Sequence, residues 1–143
     1  MNIRTTSFEE SEAEIRFVRD TVFGAEQKVR RELDWDGIDI QCIHVVATDD
    51  RGNPIGTGRM QLDGRIGRLA VLKEWRNGGI GGQMIEALIE TARRRGLGGV
   101  RLHAQLQAVS FYRQCGFEKD GREFMEAGIP HIAMTRNTES ASP

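Results

Sequence analysis

Cysteine is nearly absent. Cys42 and Cys115 are the only two in 143 residues, and they form neither a paired-ligand motif nor a disulfide framework. Neither has a recognisable activating triad, so covalent cysteine chemistry is not indicated. No charge sign dominates: 20 Lys and Arg stand against 21 Asp and Glu, a net charge of −1, with an isoelectric point near 6.3. That balance argues against nucleic acid or an anionic membrane as the main partner. No stretch approaches the roughly 18 apolar residues of a membrane span. The N-terminal MNIRTTSFEESE lacks the apolar centre of a secretory signal. The expectation is a reduced, soluble, cytoplasmic protein with no metal site.

What is present is an ordinary globular composition, 38% hydrophobic and 29% charged, long enough for one domain with a sizeable core. That domain is expected over residues 1–135, with a disordered tail over 136–143. Residues 2–7 read as a short edge strand. Ser7 with Glu10, or Ser11 with Glu14, gives a capping-box start, and Ile15, Val18, Val22 and Phe23 repeat at helical spacing over 10–23. The charged stretch Gly24 to Asp39 suggests a short helix and a loop. Residues 41–48, 55–62 and 65–72 read as three strands of a meander, the last two joined by a tight Asp63-Gly64 turn. Met84, Ile85, Leu88, Ile89 and Ala92 fall on one face of a long helix. Arg93, Arg94 and Arg95 end it, where cations suit the helix dipole and solvation is the plainest expectation. A buried strand over 99–104 and a short helix ending at Gly116 follow. Strands over Phe117–Glu123 and His131–Thr135, joined by FMEAGIP, complete a mixed, mostly antiparallel α/β domain.

RNGGIGGQ, residues 76–83, opens the long helix with four glycines in five positions. A helix N-terminus carries unpaired amides and about half a positive charge. Glycines let a bulky anion reach those amides, so strand, glycine loop and helix together read as a phosphate cradle. The P-loop and Rossmann patterns do not fit: no Gly-Lys-Ser/Thr follows, and the sixth position from Gly79 is Met84.

Arg76-Asn77-Gly78-Gly79-Ile80-Gly81 resembles the R/Q-x-x-G-x-G/A signature of the GNAT superfamily of acyl-CoA-dependent N-acyltransferases. AVSFYRQCGF resembles that family's A-x-x-F-Y-x-x-x-G-F segment, and the likeness spans roughly residues 40–135. VFGAEQKV, GNPIGTGRM and FMEAGIPHIAM resemble a bacterial subgroup of that family. The resemblance implies a single sheet with splayed central strands and acetyl-CoA as cosubstrate. By it, the amides of Arg76, Asn77, Gly78, Gly79, Ile80, Gly81 and Gly82 hold the pyrophosphate, the arginine contributing through its main chain. Leu69, Ala70 and Val71 hold the pantetheine arm, and the Val71 amide serves the thioester carbonyl as a one-donor oxyanion site. His103 to Gln105 line the other side of the splay, Gln105 standing where many members have Asn. Phe111 belongs to the same cofactor segment.

Tyr112, the only tyrosine, matches the family's general acid for the departing thiolate. A phenol of pKa near 10 is a weaker acid than a thiol near 8.5, so full transfer is uphill by roughly 2 kcal/mol. A hydrogen bond to the thiolate, with late transfer, is the more economical role; a plain core role beside Ala108 and Phe111 is the alternative. On the acceptor side, an amine of pKa ~10.4 is about 0.04% neutral at pH 7, a cost near 4.6 kcal/mol without a base or desolvation. Glu126 and His131 are the catalytic candidates, in a segment that reads equally as a stabilised turn; Glu26 and His44 are further candidates, His44 reading first as a packed histidine. RELDWDGID reads as a solvated acidic loop, or as an aromatic and acidic wall attracting a cationic amine. The expected activity is transfer of acetyl from acetyl-CoA to a primary amine of a small molecule or peptide, without an acyl-enzyme. The alternatives are a non-catalytic acyl-CoA sensor and a plain interaction domain. Exposed strand edges leave room for a homodimer.

Overall fold

The computed structural model describes residues 1–139. The edge strand β1 (Asn2–Ser7) runs into α1 (Phe8–Arg19), where the Ser7 hydroxyl accepts the Glu10 amide at 3.1 Å, as the capping pattern predicts. Past Arg19 the helix does not continue as α. It widens into a π-helix over Asp20–Glu26, short of the expected α-helical end at residue 23. A one-turn α2 (Arg31–Asp34) leads to β2 (Ile43–Thr48), β3 (Pro54–Met60) and β4 (Ile66–Val71), giving an antiparallel sheet in the order β1-β2-β3-β4.

The long helix α3 (Ile80–Arg94) follows the glycines. Then come β5 (Gly99–Gln105), α4 (Val109–Gln114), β6 (Glu118–Lys119), β7 (Phe124–Glu126) and β8 (Ile129–Asn137). The second sheet has the order β5-β8-β6, with β7 also on β8. The single strand expected over Phe117–Glu123 is interrupted at Gly121, whose φ of 93° turns the chain, so β6 and β7 are separate. FMEAGIP, the expected connection, forms a tight hairpin. Glu126 faces Ile129, and Ala127 and Gly128 both have positive φ, 52° and 75°, as a type I′ turn requires. The strand also outruns the expected domain boundary at 135. Thr138 is fully buried; its amide donates to Gly98 O at 3.2 Å, and its carbonyl accepts Arg93 Nε at 2.7 Å. Arg93 is thus a tether for the last strand, while the remainder of the expected tail, 140–143, lies outside the described residues.

The apolar face of α3 buries Met84, Ile85, Leu88, Ile89 and Ala92 against Val45 and Ala47 of one sheet and Val100, Leu102 and Ala104 of the other. Each fully buried aliphatic side chain is worth about 1.5–3 kcal/mol, so α3 is the main weld between the halves. The other face of the first sheet packs Ala70 against Val18 and Val22. No helix among the described residues is long and apolar enough to cross a membrane.

The two sheets meet at one place. Arg65 and Arg101 form a single parallel bridge, and Arg101 N donates to Gly64 O at 3.0 Å. Gly64 is required there: its φ is +99°, and a Cβ would stand 2.9 Å from Gly99 O. Past this bridge β4 and β5 diverge, leaving facing backbone edges open. A bulge sharpens the opening: the register shifts between Thr57↔Ala70 and Arg59↔Gly67, and Arg68 takes a φ of 49°. Simple alternation from Ile66 would carry Arg68 and Ala70 to the α3 side. The extra residue instead sends Leu69 and Val71 there and Ala70 to the opposite face.

Candidate active site

A cleft of about 520 Å³ lies at the open end of the splay. Leu69, Ala70, Val71, Arg76, Asn77, Gly79, Ile80, Gly81 and Phe111 line it, joined by Trp75 and Gln114, which sequence reasoning did not single out. The structure therefore brings the strand end, the glycine loop and the α4 phenylalanine around one space. Gly82 faces an adjoining groove of about 630 Å³ shared with Gly79 and Gln114, and exposed Gly78 lines neither.

The N-terminus of α3 fits an anion. Gly79, with φ of 84°, caps it, no side chain bonds to the cap, and no acidic residue stands in the first turn. The first amides are thus left for a ligand. A Cβ at Gly82 would meet nothing within 4 Å, whereas one at Gly81 would stand 3.1 Å from Phe111 Cζ. Gly81 therefore also lets α4 approach α3.

Strand geometry aims one donor into the cleft. Leu72 N donates across to Ile55 O on β3 at 2.9 Å, so alternation turns the N–H and C=O of Val71 to the opposite edge, into the splay. The carbonyl is taken by Arg76 Nε at 2.9 Å, which leaves the amide. The Arg76 side chain is turned away from the glycines: Nη1 and Nη2 each lie 2.6 Å from a Glu26 carboxylate oxygen. Glu26 is accordingly held below the usual carboxylate range by the Arg76 hydrogen bond, against a smaller effect of desolvation. It is a clasp on the signature arginine, which removes it as a free base.

Tyr112 does not line the cleft. Its ring sits between Phe111 and Phe117, centroids at 5.1 and 6.0 Å, and burial, with Cys115 nearby, pushes its phenol up to about 12. Gln105 is also off the cleft, its side-chain oxygen accepting Gln107 Nε2 at 2.5 Å. His44 is fully buried, with Nε2 2.8 Å from Asp39 O; burial lowers its pKa, and it serves packing.

Glu126 and His131, in contrast, are brought together. Glu126 Oε1 lies 2.9 Å from His103 Nδ1, and Oε2 lies 3.7 Å from His131 Nε2. His131 itself is 7% exposed, with Nδ1 donating to Ile129 O at 2.7 Å. Burial raises the Glu126 carboxyl, but the His103 hydrogen bond and the nearby charges of His103, His131 and Arg65 outweigh it, so the net shift is downward.

RELDWDGID is no solvated loop. Asp34 and Asp39 are each 5% exposed and pair with Arg19, 1% exposed. Arg59 bonds Asp36 at 2.6 Å and Asp39 at 3.0 Å, and the bulged Arg68 reaches Leu33 O and Asp34 O at 2.9 and 3.1 Å. The Arg19 guanidinium lies 3.9 Å from the Trp35 ring centroid. Three arginines against three aspartates hold this segment over β3 and β4, and Asp34, Asp36 and Asp39 are spent on those arginines, while Glu32 stays exposed.

The comparisons agree with this architecture. The acetyltransferase (GNAT) domain family matches residues 10–138. The uncharacterized N-acetyltransferase YjcF of Bacillus subtilis is 38% identical over 125 residues, 85% of this chain and 89% of its own. The crystal structure of Escherichia coli ElaA superposes with a TM-score of 0.82 at 25% identity, covering 95% of this chain and 99% of its own. An acyl-CoA N-acyltransferase from Pseudomonas aeruginosa gives 0.78 at 28% identity, with 94% and 98% covered. With a splayed sheet, a glycine-opened α3 and a family match over nearly its whole length, the chain belongs to the GNAT acetyltransferase family and is an acyltransferase.

Proposed function

We propose that this protein transfers the acetyl group of acetyl-CoA directly to a primary amine of a small molecule or peptide, acting in the cytoplasm. The observation that carries the reading is the joint opening of the β4–β5 splay and the α3 N-terminus onto one cleft. The amides of the glycine segment would hold the pyrophosphate; the open edge at Leu69 and Val71 would hold the pantetheine arm. The Val71 N–H is free to meet the oxygen that gains charge when the amine attacks, and one such donor is worth roughly 2.7–4 kcal/mol in a dry site. Tyr112 would donate a hydrogen bond to the departing sulfur while remaining a phenol, a role that needs its ring to turn toward the cleft. Glu126 and His131 belong to the acceptor side, on the sheet face away from α3.

The test is release of free thiol from acetyl-CoA against polyamines, aminosugars, amino acids and N-terminal peptides, with acetyl-CoA binding followed by melting temperature. Turnover with one amine class is the expected result. Binding without turnover across the panel would instead support an acyl-CoA sensor.

A further inference from the structure

The Nδ1 atom of His103 has two neighbours with opposite demands. Glu126 Oε1 lies at 2.9 Å and Arg65 Nη2 at 3.0 Å. A carboxylate only accepts and a guanidinium only donates, so one nitrogen cannot satisfy both. With its proton on Nδ1, the imidazole donates to Glu126, and Nε2 presents a lone pair. With its proton on Nε2, Nδ1 accepts from Arg65, and no basic nitrogen is left outward.

The surroundings favour the first arrangement. Arg65 has a second partner, since its Nη2 is also 3.8 Å from Glu126 Oε1. Glu126 is held ionised by His103, His131 and Arg65 together, and the Phe124 edge fixes the imidazole plane, centroids 4.9 Å apart. Nε2 of His103 has no hydrogen-bond partner among the described residues, and the side chain is 30% exposed. The residue stands on β5 two positions past the Arg65–Arg101 bridge, where the splay begins. Its side chain alternates with Leu102 and Ala104, which pack in the α3 core. It therefore lies on the face opposite the glycine helix, open to a nucleophile arriving from the acceptor side.

We propose that His103 takes the proton from the acceptor amine, with Glu126 as the residue that holds its ring in the Nδ1–H form and Arg65 as the competing partner of the opposite form. This rests on the N-acetyl transfer reading. Nε2 removes one proton from R–NH3+, giving R–NH2 and an imidazolium. The nitrogen lone pair forms the C–N bond to the thioester carbon, and the C–S bond breaks with its electron pair going to sulfur. The second nitrogen proton goes to the thiolate, and the imidazolium returns its proton to solvent, leaving amide and free thiol.

The experiment has two arms. Long-range imidazole 15N correlation spectra of the full chain, with His103 assigned through His103→Gln, read the ring without any substrate. An Nδ1–H ring that converts to Nε2–H in Glu126→Gln is expected; an Nε2–H ring in the wild type overturns the assignment. In the kinetic arm, His103→Gln should lower kcat/KM for the amine about 10²–10⁴-fold and erase the ascending limb of the pH profile. Acetyl-CoA affinity, which also reports folding, should stay within about twofold, since the expected contacts of the coenzyme with β5 are to its open backbone edge, which the side-chain substitution leaves in place. Wild-type kcat in that variant overturns the role of His103 alone. Absence of wild-type turnover with acetyl-CoA bound overturns the transfer reading and the role with it, even when the ring is Nδ1–H.

Discussion

Arg76 grips Glu26 through both terminal guanidinium nitrogens at 2.6 Å while its Nε holds the Val71 carbonyl at 2.9 Å. One side chain thus ties the end of the π-helix to the strand end that faces the cleft. The arginine of the glycine signature acts here as a brace, its guanidinium engaged by Glu26 and the Val71 carbonyl.

Glu26→Gln is therefore expected to keep kcat within about threefold and to keep the shape of the pH–rate profile. Because Arg76 holds the Glu26 pKa down, the clasp is complete above the ordinary carboxylate range and weakens as pH falls through the depressed value. A lost ascending limb in Glu26→Gln would return Glu26 to the role of base.

Gly82→Glu should weaken acetyl-CoA binding about tenfold or more, near 1.4 kcal/mol, by placing a carboxylate against the anion at the helix N-terminus. Open space at this position lets the fold survive, which circular dichroism checks. Gly81 is a poorer probe, because Phe111 stands in the way. Calorimetric affinity unchanged in Gly82→Glu would remove the cradle.

Tyr112→Phe should lower kcat roughly 10–100-fold, the lower range of proton-transfer assistance, with little change in acetyl-CoA affinity. The wild type should also lose stability as pH rises from about 10 to about 12. In that window the unfolded phenol ionises while the buried one, pushed up to about 12, keeps its proton, so the folded state binds more protons. Melting curves of the two proteins across that window check the sign; equal slopes would place the phenol in water.

Arg19→Leu should destabilise the chain by about 3–5 kcal/mol, read by urea denaturation, because Asp34 and Asp39 would lose their central counter-charge in the interior. The same network sets an acid limit. Asp36, lowered to about 2 chiefly by Arg59, stabilises fully above 3.8 and loses that contribution as pH falls toward 2. Asp34 runs the other way, burial raising it above its ordinary value. Asp36→Asn should flatten stability across pH 4 to 2, against a falling wild-type curve.

The elements that carry their own signal were legible. Ser7 with Glu10, the apolar stripe of α3 and the glycines that precede its first turn each announce an element within a few residues. What stayed hidden depends on distant partners. Asp34 and Asp39 look like surface acids until Arg19, 15 and 20 residues away, and Arg59 close on them. His103 acquires chemistry only when a hairpin brings Glu126 back across 23 residues. That hairpin lacks the usual Asn-Gly turn, using Ala127 in a left-handed conformation instead. The bulge puts its positive φ on Arg68 and not on the adjoining Gly67, so the glycine marks the neighbourhood of the bulge but not its position.

The single Arg65–Arg101 bridge has a consequence for how the molecule breathes. A sheet joined by one rung is two units, β1–β4 and β5–β8, sharing the one apolar face of α3. The amides of β5 and β8 should exchange with deuterium through a common opening, distinct from that of β2 and β3. A ligand wedged along both open edges would be the missing rungs of the ladder, so its binding should slow both sets together. The coenzyme would then be, besides a reactant, the last structural member of the sheet.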